Sequence, residues 1–170
     1  MTLIEKPSEL PQAIGEAVRR AFPALRVGNH QDFQTGDPGG VLITVERNGP
    51  GPRSLEGRKA HALTVSLKVM VAPTAQPFEA CDLASQLMDL VLDNRWSLPA
   101  AQCELPVNIV AAPGLGAAEQ TDYDSWTVSF IQTLYLGPTL LDDPVGTPLF
   151  ARTWEVSDIN DPNQYRPLQE

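Results

Sequence analysis

Residues 123–136 read YDSWTVSFIQTLYL, with Trp126, Val128, Phe130, Leu134 and Leu136 on one side of an alternation and Ser125, Thr127, Ser129 and Thr133 on the other. Successive side chains of a strand point to opposite faces, so a period of two sustained over this length predicts a long strand, central or near-central in its sheet. Residues 61–71 repeat the pattern, setting Leu63, Val65, Leu67, Val69 and Val71 against Thr64, Ser66 and Lys68, and residues 41–47 are apolar and β-branched. These two runs are expected to pair antiparallel. Residues 107–112 make a fourth candidate strand, and a short one is expected near residues 25–28.

The remaining periodic segments are helical. Leu10, Ile14, Val18 and Phe22 recur every four residues, with Ala13, Ala17 and Ala21 beside them and Glu9, Glu16, Arg19 and Arg20 elsewhere. This predicts an amphipathic helix over residues 8–22, with Ser8 as N-cap, Pro11 tolerated in the first turn and Pro23 as the stop. A second helix is expected over residues 77–94, opened by Pro77 and Glu79, with Phe78, Cys81, Ala84, Leu87, Met88, Val91 and Leu92 as its apolar face. Two helices on one face of a sheet bury two apolar stripes at once. The expected fold is therefore α/β of the α+β type: a mixed, mainly antiparallel sheet packed by two helices, with an extended C-terminal arm. Residues 1–137 form the domain and residues 138–170 the arm.

Two stretches stand outside this pattern. The connection over residues 48–59 is long for a hairpin and gathers Arg53, Arg58 and Lys59, next to Arg47, in a chain whose net charge is -9. Positive charge concentrated on one loop of an acidic protein suits contact with an acidic surface on a neighbouring subunit, against the plainer reading of a solvated loop. After Gly137, Pro138, Pro144, Pro148, Pro162 and Pro167 interrupt any period, yet Leu140, Leu141, Leu149, Phe150, Trp154, Val156 and Tyr165 are more apolar anchors than a free tail carries. They are expected to dock, either on a neighbour or back on their own sheet.

No constellation in the sequence points to catalysis. His30 and His61 stand alone, with no carboxylate or Cys at motif spacing. Gly114-Leu115-Gly116 starts like a dinucleotide fingerprint, but Glu119 stands where the last glycine should be, and a turn accounts for it better. Asp122 with Asp124, and Asp142 with Asp143, read as solvated turn residues. Cys81 and Cys103 lack zinc spacing and a disulfide framework, which fits a reducing compartment. No metal and no cofactor are expected. A backbone of phosphates is an unsuitable main partner for so acidic a chain. Residues 1–10 carry Glu5, Lys6, Pro7 and Glu9 and do not read as a signal peptide, and no window reaches a membrane span. A soluble protein is expected.

The segment from Tyr123 to Gly137, an aromatic residue followed by alternating Val and Phe, then Gln and a Leu-Gly end, resembles the closing strand of phage tail terminator and tail completion proteins. The order of elements over residues 3–137 resembles theirs as well. The resemblance implies a structural virion protein, assembled in the host cytoplasm. Such a protein forms a hexameric ring of identical subunits that caps the tail tube protein and meets the head-to-tail connector or head completion protein, while DNA passes through the lumen without specific binding. The arm lies beyond this resemblance; the basic loop and the apolar anchors themselves give Arg53, Arg58, Lys59, Leu149, Phe150, Trp154 and Tyr165 as candidate interface residues. A head-side neck component and a monomeric ligand-binding or enzymatic domain are the two alternatives that stay open.

Overall fold

A computed structural model describes residues 4–29, 32, 39–52, 54, 56–72, 78–114, 124–139, 149–151 and 160–167. Its elements run α1 (Glu9–Ala21), β1 (Val27–Gly28), β2 (Gly39–Pro50), β3 (Lys59–Val71), α2 (Glu79–Val91), β4 (Val107–Pro113), β5 (Asp124–Leu136), β6 (Leu149–Ala151) and β7 (Tyr165–Pro167), the last preceded by a 3-10 turn, Pro162–Gln164. The chain divides into two compact units, Met1–Leu140 and Leu141–Glu170.

In the first unit β1 to β5 form one sheet in the order β1-β2-β3-β5-β4. Only β1 against β2 is parallel; β2–β3, β3–β5 and β5–β4 are antiparallel, so the α+β expectation is met. β5, the strand legible first in the sequence, lies inside the sheet with partners on both sides. Rows of paired residues explain the core. Ile43, Leu67, Val128 and Ala111 lie side by side on one face, while Thr44, Ser66, Ser129 and Val110 lie side by side on the other.

Both helices cover the first face, α1 over β1 and β2, α2 over β3, β5 and β4, and they touch each other. Leu10, Ile14 and Val18 of α1 and Ala80, Ala84, Leu87 and Val91 of α2 are fully buried against Val65, Leu67, Phe130 and Leu134. Removing a Leu or Phe side chain of this size from water stabilises by about 1.5–3 kcal/mol, so these stripes dominate the cohesion of the unit. Leu67, Leu87 and Phe130, one residue from each of β3, α2 and β5, are all buried, as the layered packing requires.

Several boundaries differ from expectation, each for a local reason. The loop expected over residues 48–59 is shorter, because the hairpin ladder continues past a bulge between Val45 and Arg47 to pair Asn48 with Leu63 and Pro50 with His61. Pro50 is tolerated there because β2 is an outer strand at that level and its missing N–H faces away from β3. β2 opens at Gly39 and Gly40, two residues before the run read from the sequence. Gly39 has φ 103°, and a Cβ there would collide with the Met70 carbonyl oxygen, so only glycine fits. Ser8 makes no side-chain cap to α1; its backbone is already helical (φ -67°, ψ -13°), which turns the hydroxyl away from the first N–H groups.

The second helix starts at Glu79 and ends at Val91, inside the expected 77–94. At its start Phe78 adopts a left-handed backbone (φ 69°) and its ring is 76% exposed instead of joining the apolar face. At its end the backbone leaves the helix at Leu92 (φ -53°, ψ 129°), which is half exposed, and Asp93 after it is left-handed (φ 56°). Pro77 lies outside the described residues.

In the second unit β6 pairs antiparallel with β7, matching Leu149 with Pro167 and Ala151 with Tyr165. The described part of the expected extended arm is thus a short two-stranded ribbon.

Candidate functional site

The β3–β5 ladder sets Lys59 opposite Leu136, so the chain entering β3 and the chain leaving β5 lie side by side at one end of the sheet. Between them opens a groove of about 560 Å³. Pro7, Leu136 and Pro138 form its apolar lining, and Arg58 and Lys59 its cationic side, with His61 and Glu5 nearby. The fold therefore brings two of the three basic residues singled out in the sequence to one surface; Arg53 lies outside the described residues.

The two cations differ in what they can do. The Arg58 guanidinium donates from Nε to Glu56 Oε2 at 2.9 Å and from Nη1 to the Gly137 carbonyl at 3.2 Å, which fastens the loop to the end of β5. Lys59 is exposed, and its ammonium is the charge available to an outside partner. His61 Nδ1 stands 3.1 Å from Asn48 Oδ1, a brace across the hairpin. Its partner is an amide, not a nucleophile or a carboxylate, so the contact gives no acid–base pair. A cationic rim over an apolar floor suits an extended segment that carries both carboxylates and apolar side chains.

Of the apolar interface candidates, Leu149 and Phe150 belong to β6 and Tyr165 to β7, so the ribbon brings their backbones into one ladder. Trp154 lies outside the described residues, as do His30, Asp122, Asp142 and Asp143.

A buried polar network, missed by the periodicity, ties the connection after α2 to β5. Gln132 occupies the inward position between Phe130 and Leu134 where an apolar residue would be expected, and it is fully buried. Its side-chain oxygen accepts the Trp96 indole N–H at 3.0 Å, and its amide nitrogen donates to Cys103 Sγ at 3.1 Å and to the Glu104 carbonyl. Gln102 likewise pairs with the Ile4 backbone, accepting from its N–H and donating to its carbonyl, each at 2.9 Å.

Burial pushes the Cys103 thiol up to about 12, so it stays protonated and unreactive near neutrality. The Tyr135 hydroxyl donates to Glu104 Oε1 at 2.5 Å, and this hydrogen bond pushes the phenol up to about 12. The arrangement is a structural lock: every side chain in it has a bonding partner and none is poised as nucleophile or base. Cys81 and Cys103 are both free thiols. Among the described residues no cluster of three His, Cys, Asp or Glu side chains is placed to hold a metal ion, and no helix is long and apolar enough to cross a membrane.

The second surface is the β4 edge. Val107 pairs with Ile131 and Val110 with Ser129, which puts both valines on the face away from the helices, 52% and 58% exposed. Residues 107–112 include no charge, although outer strands are commonly guarded by one. Alternation alone could not show this, because an outer strand and an inner one share the same period.

No family model and no curated protein matches this chain.

Proposed function

We propose that the protein is a non-catalytic assembly component, a ring-forming cap of the tail terminator type that ends polymerisation of a tail tube and presents its other face to a head-to-tail connector. The observation that carries this reading is the uncharged β4 edge with Val107 and Val110 exposed beside it, a surface that costs solubility unless another strand covers it. The resemblance of residues 123–137 to the closing strand of those proteins supplies the particular role. The basic groove at the opposite end of β5 gives such a ring a second contact, with Lys59 reaching toward an acidic partner. The net charge of -9 suits a lumen through which DNA slides without being held.

Light scattering on the purified protein, followed by negative-stain imaging alone and with tail tubes, tests the proposal. It expects particles of six times the chain's 18.5 kDa, seen end-on as rings and bound at tube ends. A monomer at every concentration, with no effect on tube length, would overturn it.

A further inference from the structure

Among the described residues the sheet of the first unit has two unlike free edges, and their directions match. β2 and β5 run one way, β3 and β4 the other, so along β2-β3-β5-β4 the strands strictly alternate. A second copy placed with its β2 beside β4 continues that alternation, in the same orientation as the first. The outer side of β2 is open for this. β1 covers it only at Val41 and Leu42, and among the described residues no strand lies against residues 43–50.

The hydrogen-bonding groups point the right way as well. Val41 donates its N–H outward to the Arg26 carbonyl, so the period of two turns the N–H groups of Ile43 and Val45 outward too. At the far end of the bulge Gly51 donates inward to Ala60, which puts Pro50, with no N–H to lose, at an outward position. On β4, Gly114 donates inward to Ser125, so Ala111 points its N–H outward and Pro113 again sits where no donor is missed. Among the described residues β4 thus offers free backbone groups over residues 107–113 and β2 over residues 43–50, each edge interrupted by one bulge, between Val107 and Val110 and between Val45 and Arg47, and each with its proline only at the end.

We infer that copies of this chain join by antiparallel pairing of β4 of one subunit with the outer edge of β2, residues 43–50, of the next. Pairing of unlike edges is head-to-tail, and it closes into a ring when the rotation per subunit divides a full turn. This names the contact inside the proposed ring and rests on that proposal. The competing contact, β4 against β4, is isologous and ends at a dimer.

Two blocked variants decide between them. Ala111→Pro removes an outward N–H of β4 and Val45→Pro an outward N–H of β2, each without breaking a bond of the internal ladder. Thermal melting checks that each still folds; Val110→Lys and Val45→Lys, which place a charge beside each edge, serve if a proline variant does not. Each variant alone is expected to be monomeric by light scattering. Mixed one to one, they are expected to give a heterodimer that grows no further, because only one intact β4–β2 contact is left. If the Val45 variant assembles like the natural protein while the β4 variant does not, the contact is β4–β4 and the inference is overturned. If both assemble normally, the inference fails while the ring reading survives on another surface. A monomeric natural protein would instead remove the ring reading itself.

Discussion

The Trp96 indole N–H donates to the Gln132 side-chain oxygen at 3.0 Å across 36 residues of chain, and the Trp96 ring lies with its centroid 6.0 Å from that of Phe130. One side chain thereby closes the core beside β5 and satisfies the polar group that β5 buries. Gln132→Ala leaves the indole N–H and the Glu104 carbonyl short of a partner and opens a void. Urea denaturation is expected to show a loss of about 2–4 kcal/mol. Gln132→Leu keeps the volume, so it should cost less on its own, and adding Trp96→Phe should recover part of that loss. A loss below about 0.5 kcal/mol for Gln132→Ala would show that the network adds nothing to stability.

Cys103 makes stability depend on alkaline pH. Its thiol is raised from an ordinary 9.0 to about 12, mainly by burial. Below about 9 it is protonated in the folded and the unfolded chain alike, and the contribution is present in full. Between about 9 and 12 the unfolded chain loses the proton and the folded one keeps it, so stability falls, by up to ~1.4 kcal/mol per pH unit. Tyr135, raised to about 12 by its bond to Glu104, pushes in the same direction above pH 10. Urea midpoints at pH 8 and 10.5 should separate more for the natural chain than for Cys103→Ala. Equal separations would contradict the assignment.

The same burial predicts the reactivity of the thiols. In the folded protein a thiol reagent at pH 8 should titrate Cys81, which is partly exposed, and leave Cys103 untouched until denaturant is added. Rapid modification of both residues without denaturant would mean that the connection after α2 opens readily.

Reversing the free cation should weaken assembly in a salt-sensitive way. Lys59→Glu, alone or with Arg53→Glu, is expected to shift the assembly midpoint to higher protein concentration at low salt, and less so in 0.5 M salt, since exposed charges are screened over about 10 Å already at 0.1 M. Arg58→Glu should in addition loosen the loop, because Arg58 holds Glu56 and the Gly137 carbonyl. Sedimentation at both salt levels is the check, and indifference to Lys59 reversal would leave the loop a solvated connection.

Truncation after Leu140 removes the whole second unit. The described core residues of the first unit run from Ile4 to Leu136, so the shortened chain is expected to melt within a few degrees of the full one. If the arm docks on a neighbour, the truncated chain also assembles poorly. A large drop in melting temperature would show that residues 141–170 belong to the same core.

Much of this protein was decided by short-range pattern. The period of two in residues 63–71 and 126–136 and the four-residue spacing from Leu10 to Val18 foretold strands, helices and buried faces, because a side chain's direction depends only on its place along a regular backbone. The same pattern placed β5 inside the sheet and paired β2 with β3. Tertiary structure alone decided what answers Gln132 and Gln102, since their partners Trp96 and Ile4 lie 36 and 98 residues away in sequence. It alone separated Arg58, spent on the loop, from Lys59, left to solvent. It also alone showed that, among the described residues, no strand lies beside the outer side of β4 or of residues 43–50 of β2. Alternation reports which face of a strand is buried; whether another strand lies beside it is settled by chain segments far away, through backbone groups that every residue type but proline shares.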